Sequence, residues 1–301
     1  MKPIIPFVGQ VDKAEELEVV SQLQAHLPEV SIIPFSDLSD QMKNAVEVAI
    51  VANPDPAKLK QFPNLKWVHS IWAGVERMMA ELSDLPVEIV RLVDPELSST
   101  MAEAVLAWTM YLHRDMPSYA HQQMRKEWKP LPYRKAAQMT VGILGLGELG
   151  AAAAERLVKN DYQVVGWSRN QKSLNGIETF SGQEGLKEVL TVSDITVILL
   201  PLTPETDGLL NAETLGHIKG GAGIINFARG PIIDNAVLLQ KLSSCQISHA
   251  VLDVFSVEPL PKDNEMWARL DITILPHISA PTGIESAAVI VSGNIKRYLQ
   301  N

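Results

Sequence analysis

Cysteine, long apolar runs and blocks of like charge are nearly missing from this sequence, and each absence excludes something. Cys245 is the one cysteine in 301 residues, so no intrachain disulfide and no cysteine-rich metal site can form, which fits a reducing compartment. The longest apolar runs, such as ITVILL at 195–200, fall well short of the roughly 18 residues that a spanning helix needs. The opening MKPIIPFVGQVDKAEE breaks its apolar run with Pro3 and Pro6 and then turns acidic, unlike a secretory signal. No lysine- or arginine-rich run occurs and the net charge is -9, so neither nucleic acid nor an anionic membrane is an expected partner. The sequence therefore reads as a soluble, cytoplasmic protein without a metal site. Small anionic ligands stay open, because a few local arginines suffice to bind them.

What is present is ordinary globular composition, 46% hydrophobic and 20% charged, with a length that predicts two domains. Over the first hundred residues, strand-like runs (IIPFV, SIIPF, VEVAIV, LKWVHSI, VEIVRLV) alternate with helix-like stretches such as 13–26. That rhythm predicts a parallel sheet with crossover helices. Residues 100–119 lack glycine, carry proline only near the end and repeat apolar residues every three or four positions, which predicts one long helix. The polar, basic stretch 121–138 with its two prolines reads as an exposed connection. Strands are then predicted at 140–144, 162–167, 194–199, 222–227, 248–253 and 272–275. Six strands with intervening helices is the count of a dinucleotide-binding sheet.

TVGILGLGELGAAAAERL places Gly145, Gly147 and Gly150 in G-x-G-x-x-G spacing between an apolar strand and an alanine-rich helix. Gly145 would permit the tight turn, Gly147 the approach of a pyrophosphate, and Gly150 close packing of helix on strand. The turn as a whole, with Leu146, Glu148 and Leu149, then becomes the expected pyrophosphate site, at a helix N-terminus whose amides favour an anion. The Glu148 carboxylate must point to solvent there to avoid repelling the phosphates. About twenty residues on, where NAD-binding folds place an acidic residue on the ribose hydroxyls, VVGWSRNQK offers Ser168, Arg169 and Lys172. Arg169 can take a 2′-phosphate bidentately and Ser168 can donate to it. NADPH is the expected cofactor, with NADH possible.

Three later segments end predicted strands: INFARGPIIDNAVL, LDVFSVEPLP and ILPHISAPT. Ligands of open α/β sheets bind at the carboxyl ends of strands, so Arg229, Glu258 and His277 can converge despite their separation in sequence. Taken singly, each is as compatible with an ion pair, a turn residue or a structural histidine.

Together, and in order along nearly the whole chain, these motifs resemble the D-isomer-specific 2-hydroxyacid dehydrogenase family. The chain shares its glycine turn, its R-G pair followed by aspartate, its D-V-F-x-x-E-P-L-P run and its P-H-I box. WKPLP at 128–132 and GWSR at 166–169 resemble most the glyoxylate and hydroxypyruvate reductases within it. The resemblance implies a Rossmann-type doubly wound cofactor domain, residues 99–283, and a flavodoxin-like substrate domain, residues 1–98 with 284–301. It implies that Arg229 binds the substrate carboxylate and carbonyl, that His277 donates a proton to the carbonyl oxygen, and that Glu258 keeps His277 charged and oriented. Ala73 and Gly74 of HSIWAGVERM would hold the substrate carboxylate through their amides. Trp72, where the family commonly has a small residue, would either wall the pocket or pack inside. Pro201 and Leu202 would flank the adenosine, Ala228 would line the cofactor site and Asp253 would contact the carboxamide. Met101 could touch the nicotinamide, but its helical spacing reads as core.

The implied reaction is NADPH-dependent reduction of a small 2-keto acid, glyoxylate or hydroxypyruvate, to the D-2-hydroxy acid, by a homodimer joined through the long helix and the 121–138 segment. Two alternatives are a reductase of bulkier 2-keto acids such as phenylpyruvate and a non-catalytic nucleotide sensor on the same fold. An intact Arg229, Glu258 and His277 argue against the sensor.

Overall fold

The structure is a computed structural model that describes residues 2–300. The chain divides into two compact units, one formed by the residues up to Leu97 with those from Thr282 onward, the other by Ser98–Pro281.

The first unit is built on five parallel strands, β1 (Ile4–Gly9), β2 (Ser31–Pro34), β3 (Val48–Ala52), β4 (Trp67–Ser70) and β5 (Glu88–Val90), in the order β2-β1-β3-β4-β5. That is the flavodoxin-like arrangement, with its topological switch between β1 and β3. All five residues of β3 are buried, because a central parallel strand covered on both faces has no solvent side to alternate with. The first crossover helix, α1 (Lys13–His26), starts where the Asp12 carboxylate accepts from the amides of Ala14 and Glu15, two of the donors that a helix start leaves unpaired. Short helices α2 (Asp40–Lys43), α3 (Pro56–Leu59) and α4 (Glu76–Glu81) complete the other connections.

The second unit carries seven parallel strands, β6 (Thr140–Leu144), β7 (Gln163–Trp167), β8 (Glu178–Phe180), β9 (Ile195–Ile198), β10 (Ala222–Asn226), β11 (Ile247–Leu252) and β12 (Ile272–Ile274), in the order β12-β11-β10-β9-β6-β7-β8. This is a doubly wound Rossmann sheet extended by one strand, with its order reversing between β6 and β9. Helices α5 (Pro95–His113), α6 (Met116–Arg125), α7 (Glu148–Val158), α8 (Gly182–Val192) and α9 (Asn235–Ser243) follow in chain order. Leu186, Val189 and Leu190 of α8 and Leu238 and Leu242 of α9 fill one core, and Met101, Ala102 and Val105 of α5 with Ala153, Ala154 and Leu157 of α7 fill another.

Two expectations change. The helix predicted over 100–119 is two helices, because Asp115 takes a left-handed conformation (φ 54°) and Pro117 follows in the first turn of α6. Apolar spacing carries across the break although only α5 buries an apolar face: on α6, Pro117 and Gln122 are buried and Met116, Tyr119 and Met124 are exposed. Proline, which lacks an N–H, fits only a helix start. The connection predicted from 121 is therefore helical as far as Arg125. The sheet also gains β8, three residues paired to Val165–Trp167, too short to give a periodic signal.

The last helix, α10 (Ile284–Gln300), belongs to the first unit and packs on α1. Its Ala287, Ala288, Val291 and Ile295 meet Val19, Leu23 and Leu27 in one core.

Candidate active site

The turn after β6 is shaped by what its glycines exclude. Gly145 has φ 105°, and a Cβ there would lie 2.7 Å from the Leu199 carbonyl oxygen; at Gly150 a Cβ would lie 1.8 Å from the oxygen of Gly145. Both positions admit no other residue without a backbone shift. At Gly147, by contrast, a Cβ would meet nothing within 4 Å, so this glycine leaves space outside the turn. Gly147 is also the N-cap of α7 and supplies no side chain to the first turn. Among the described residues the amides of Leu146, Gly147, Glu148, Leu149 and Gly150 have no acceptor, the first paired one being Ala151. Glu148 is exposed. Unpaired amides, a helix dipole and open space are what a pyrophosphate requires.

Beyond β7, Ser168 is buried and its hydroxyl donates to the Asn170 carbonyl at 2.7 Å. Arg169 is exposed and close enough to Glu205 to help lower that carboxyl, after the larger effect of the Thr203 hydroxyl. Lys172 reaches back to donate to the Leu146 carbonyl at 2.6 Å, which ties the loop after β7 to the glycine turn and leaves a cation beside it. After β9, the Pro201 carbonyl accepts from the Thr206 hydroxyl at 2.7 Å, while Leu202 packs on the sheet core.

The ends of β10, β11 and β12 form a stepped ladder. Asp253 donates its amide to the Asn226 carbonyl, and His277 donates its amide to the Asp253 carbonyl. Asn226 turns the chain after β10: its carboxamide accepts from the Ala228 amide at 3.1 Å and donates to the Arg229 carbonyl at 3.1 Å. Ala228 is buried and its carbonyl accepts from the Arg229 guanidinium at 2.6 Å. Asp253, 3% exposed, accepts from the amides of Ile278 at 2.7 Å and Ser279 at 2.9 Å, one on each oxygen. These three contacts hold His277 at φ 55°, a conformation that a non-glycine residue seldom adopts unaided.

The ring of His277 is held from the other side. Glu258 accepts the Phe255 amide on Oε1 and meets His277 Nδ1 with Oε2, each at 2.8 Å. A carboxylate only accepts, so Nδ1 carries the hydrogen. Nε2 has no partner among the described residues, and the side chain is 53% exposed. An imidazole fixed at one nitrogen and open at the other is arranged for proton transfer.

In the first unit, the loop after β4 is held at Trp72, whose amide donates to the Ser70 hydroxyl at 3.0 Å and whose carbonyl accepts from Leu92 at 3.1 Å. Trp72 is half-buried against the core. The following amides, of Ala73 and Gly74, have no acceptor among the described residues.

Residues 106–279 match the NAD-binding domain of the D-isomer specific 2-hydroxyacid dehydrogenases. The chain belongs to that family. Its relatives include the glyoxylate/hydroxypyruvate reductase A of Yersinia enterocolitica, 35% identical over 94% of this chain and 91% of the relative. A D-isomer specific 2-hydroxyacid dehydrogenase from Xanthobacter autotrophicus, solved with NADPH and MES, superposes with a TM-score of 0.93 at 39% identity, covering 100% of this chain and 96% of that one. The NADPH-dependent glyoxylate/hydroxypyruvate reductase of Sinorhizobium meliloti, solved with NADP and sulfate, gives 0.91 at 31% identity over 99% and 96%.

As a 2-hydroxyacid dehydrogenase the protein is an oxidoreductase acting on a CH–OH group, with an NAD(P)-binding Rossmann domain. The orphan amides of the glycine turn fit that cofactor. Sequence reading passed over Asn226 and assigned Asp253 a cofactor contact without its hold on the His277 loop. Only the N-terminal edge of the DVF run marked Asp253, and backbone amides as partners leave no residue-type signal.

Proposed function

We propose that this protein reduces glyoxylate or hydroxypyruvate to the D-2-hydroxy acid and prefers NADPH. The observation that carries the reading is the Glu258–His277 pair with its free Nε2 at the carboxyl ends of the strands. The bound nicotinamide supplies the hydride. Leu146 to Gly150 would hold the pyrophosphate through their amides, and Arg169 and Lys172 would meet the 2′-phosphate, with Pro201, Leu202 and Ala228 lining the site and Asp253 on the carboxamide side. Ser168, whose single hydroxyl hydrogen goes to the Asn170 carbonyl, could donate to that phosphate only by giving up this bond. Arg169 is exposed, and its guanidinium suits a phosphate dianion bidentately.

As the 2-keto carbon is reduced, charge grows on its oxygen. Arg229 opposes that charge and the protonated His277 transfers its Nε2 proton to the oxygen, while Glu258 stabilises the imidazolium. The free amides of Ala73 and Gly74 hold the substrate carboxylate. Trp72 walls the pocket against larger side chains. The names of the reductases from Yersinia and Sinorhizobium support this substrate class, as do the NADPH and NADP in the solved relatives.

The same reading takes the protein as a cytoplasmic homodimer. Met110, Met116, Tyr119, Met124, Trp128 and Tyr133 are exposed over α5, α6 and the following arm, Trp128 fully so, and clustered exposed aromatics and methionines mark association surfaces. The deciding assay is NADPH oxidation with glyoxylate. Turnover at least several times faster than with NADH is the expected result; equal or better use of NADH overturns the cofactor assignment.

A further inference from the structure

On β4, immediately before the loop that carries the free amides, His69 is fully buried with both ring nitrogens hydrogen-bonded. Nδ1 lies 2.8 Å from the Ser70 carbonyl oxygen, and Nε2 lies 2.7 Å from Nδ2 of Asn294 on α10. A carbonyl only accepts, so Nδ1 donates and Nε2 accepts from the Asn294 amide. Arg297 settles the orientation of that amide by donating to Asn294 Oδ1, which leaves Nδ2 to face the ring. Burial lowers the pKa of His69, in keeping with this neutral tautomer.

Ser70 is thereby held twice, its carbonyl by His69 and its hydroxyl by the Trp72 amide. With the Trp72 carbonyl on Leu92, the backbone is fixed up to the residue before Ala73 and Gly74. A leucine at position 69 would satisfy an apolar core without the cost of desolvating an imidazole. What the histidine adds is direction: a hydrogen-bonded path from α10 to the loop. A loop set in advance binds an anion without first losing its own freedom.

We propose that His69, backed by Asn294, is the positioning residue of the substrate-carboxylate loop and tunes affinity for the acid without taking part in proton transfer. This rests on the reading that the Ala73 and Gly74 amides hold the substrate carboxylate. The test compares His69→Leu, Asn294→Leu and the double variant by the KM for glyoxylate, the inhibition constant of oxamate, the KM for NADPH and Tm. Each single variant is expected to raise the glyoxylate KM and the oxamate constant about tenfold, the scale of one lost directing hydrogen bond. Saturating kcat and the KM for NADPH stay within about twofold, and the double variant is no worse than either single, since both break one path. Asn294 is only half-buried, so its variant reports even if His69→Leu fails to fold. A fall in Tm with unchanged glyoxylate KM and oxamate binding in Asn294→Leu overturns the proposal, as does a parallel rise in the KM for NADPH. A wild-type enzyme that turns over NADPH with another keto acid but neither uses glyoxylate nor binds oxamate overturns the substrate reading, and this inference with it.

Discussion

Inside the two sheets, buried ionisable groups are each tied to at least one neighbour, whereas at the carboxyl rims of the same strands several polar atoms beside solvent are left open. Asp194, almost buried at the start of β9, takes Arg134, Lys219 and the Thr140 amide. Burial alone would raise its carboxyl, but Lys219, the Thr140 amide and Arg134 bring it below its usual range. His249 within β11 is 6% exposed and bonded to the Thr273 hydroxyl at 2.8 Å. At the rim, among the described residues, His277 keeps Nε2 free, and the first turn of α7 and the Ala73–Gly74 step keep their amides free. The contrast teaches where to look for chemistry: open valence beside solvent costs little and can be given to a ligand, while in the interior it would be a penalty of about 1–3 kcal/mol per group.

The contrast breaks most directly at His277. His277→Ala removes the open nitrogen and is expected to lower kcat for keto-acid reduction by about 10²–10⁴-fold, with the KM for NADPH little changed. Glu258→Gln keeps the shape of the pair but not the charge, and the expected loss is about tenfold. Wild-type rates from His277→Ala in a steady-state assay would assign the proton to another group.

In the interior, His249 sharpens the comparison through stability. Burial drives its pKa down to about 4, against the smaller opposing pull of Asp271, while the nearby His121 lowers it further. A histidine that is neutral when folded and titrates near 6.5 when unfolded gives stability that is complete above about pH 6.5. It is lost as pH falls toward 4, on the order of 3 kcal/mol in all. His249→Gln is expected to flatten denaturant-derived stability over that window, and an unchanged slope would show that other groups govern the acid response.

Arg169→Ala tests the rim at the cofactor end. Its expected effect is a rise of about tenfold in the KM for NADPH with NADH nearly unaffected; equal effects on both cofactors would make Arg169 a solvated surface charge. Trp72→Ala is expected to shift the phenylpyruvate-to-glyoxylate ratio of kcat/KM by roughly 1 kcal/mol, about fivefold, toward the larger acid. A constant ratio with a lower Tm would make Trp72 core.

Much of the architecture was legible because it follows from local chemistry. Helix α1 occupies 13–26, as its pattern predicts, since an aspartate cap and the acidic first turn of Glu15 and Glu16 are written in neighbouring residues. The glycines of the turn after β6 were legible for a steric reason: at Gly145 and Gly150 any side chain collides with backbone. The family motifs likewise stand in short contiguous runs. Strand β8 and the break at Asp115 were not legible, because three residues carry no period and apolar spacing continues through the kink.

Composition and local pattern by themselves determined an α/β chain with a G-x-G-x-x-G turn between strand and helix, basic residues where an acidic one is usual, and Arg229, Glu258 and His277 after predicted strands. Tertiary structure alone decided how those side chains are held. Asp253 reaches the amides of Ile278 and Ser279, Lys172 returns to Leu146, and Asn294 meets His69 across 225 positions of sequence. The physical reason is common to all three. Each bond ends on a backbone group or a buried ring whose partner is set by where parallel strands and helices stop, and no spacing rule connects residues that only the completed sheet brings together.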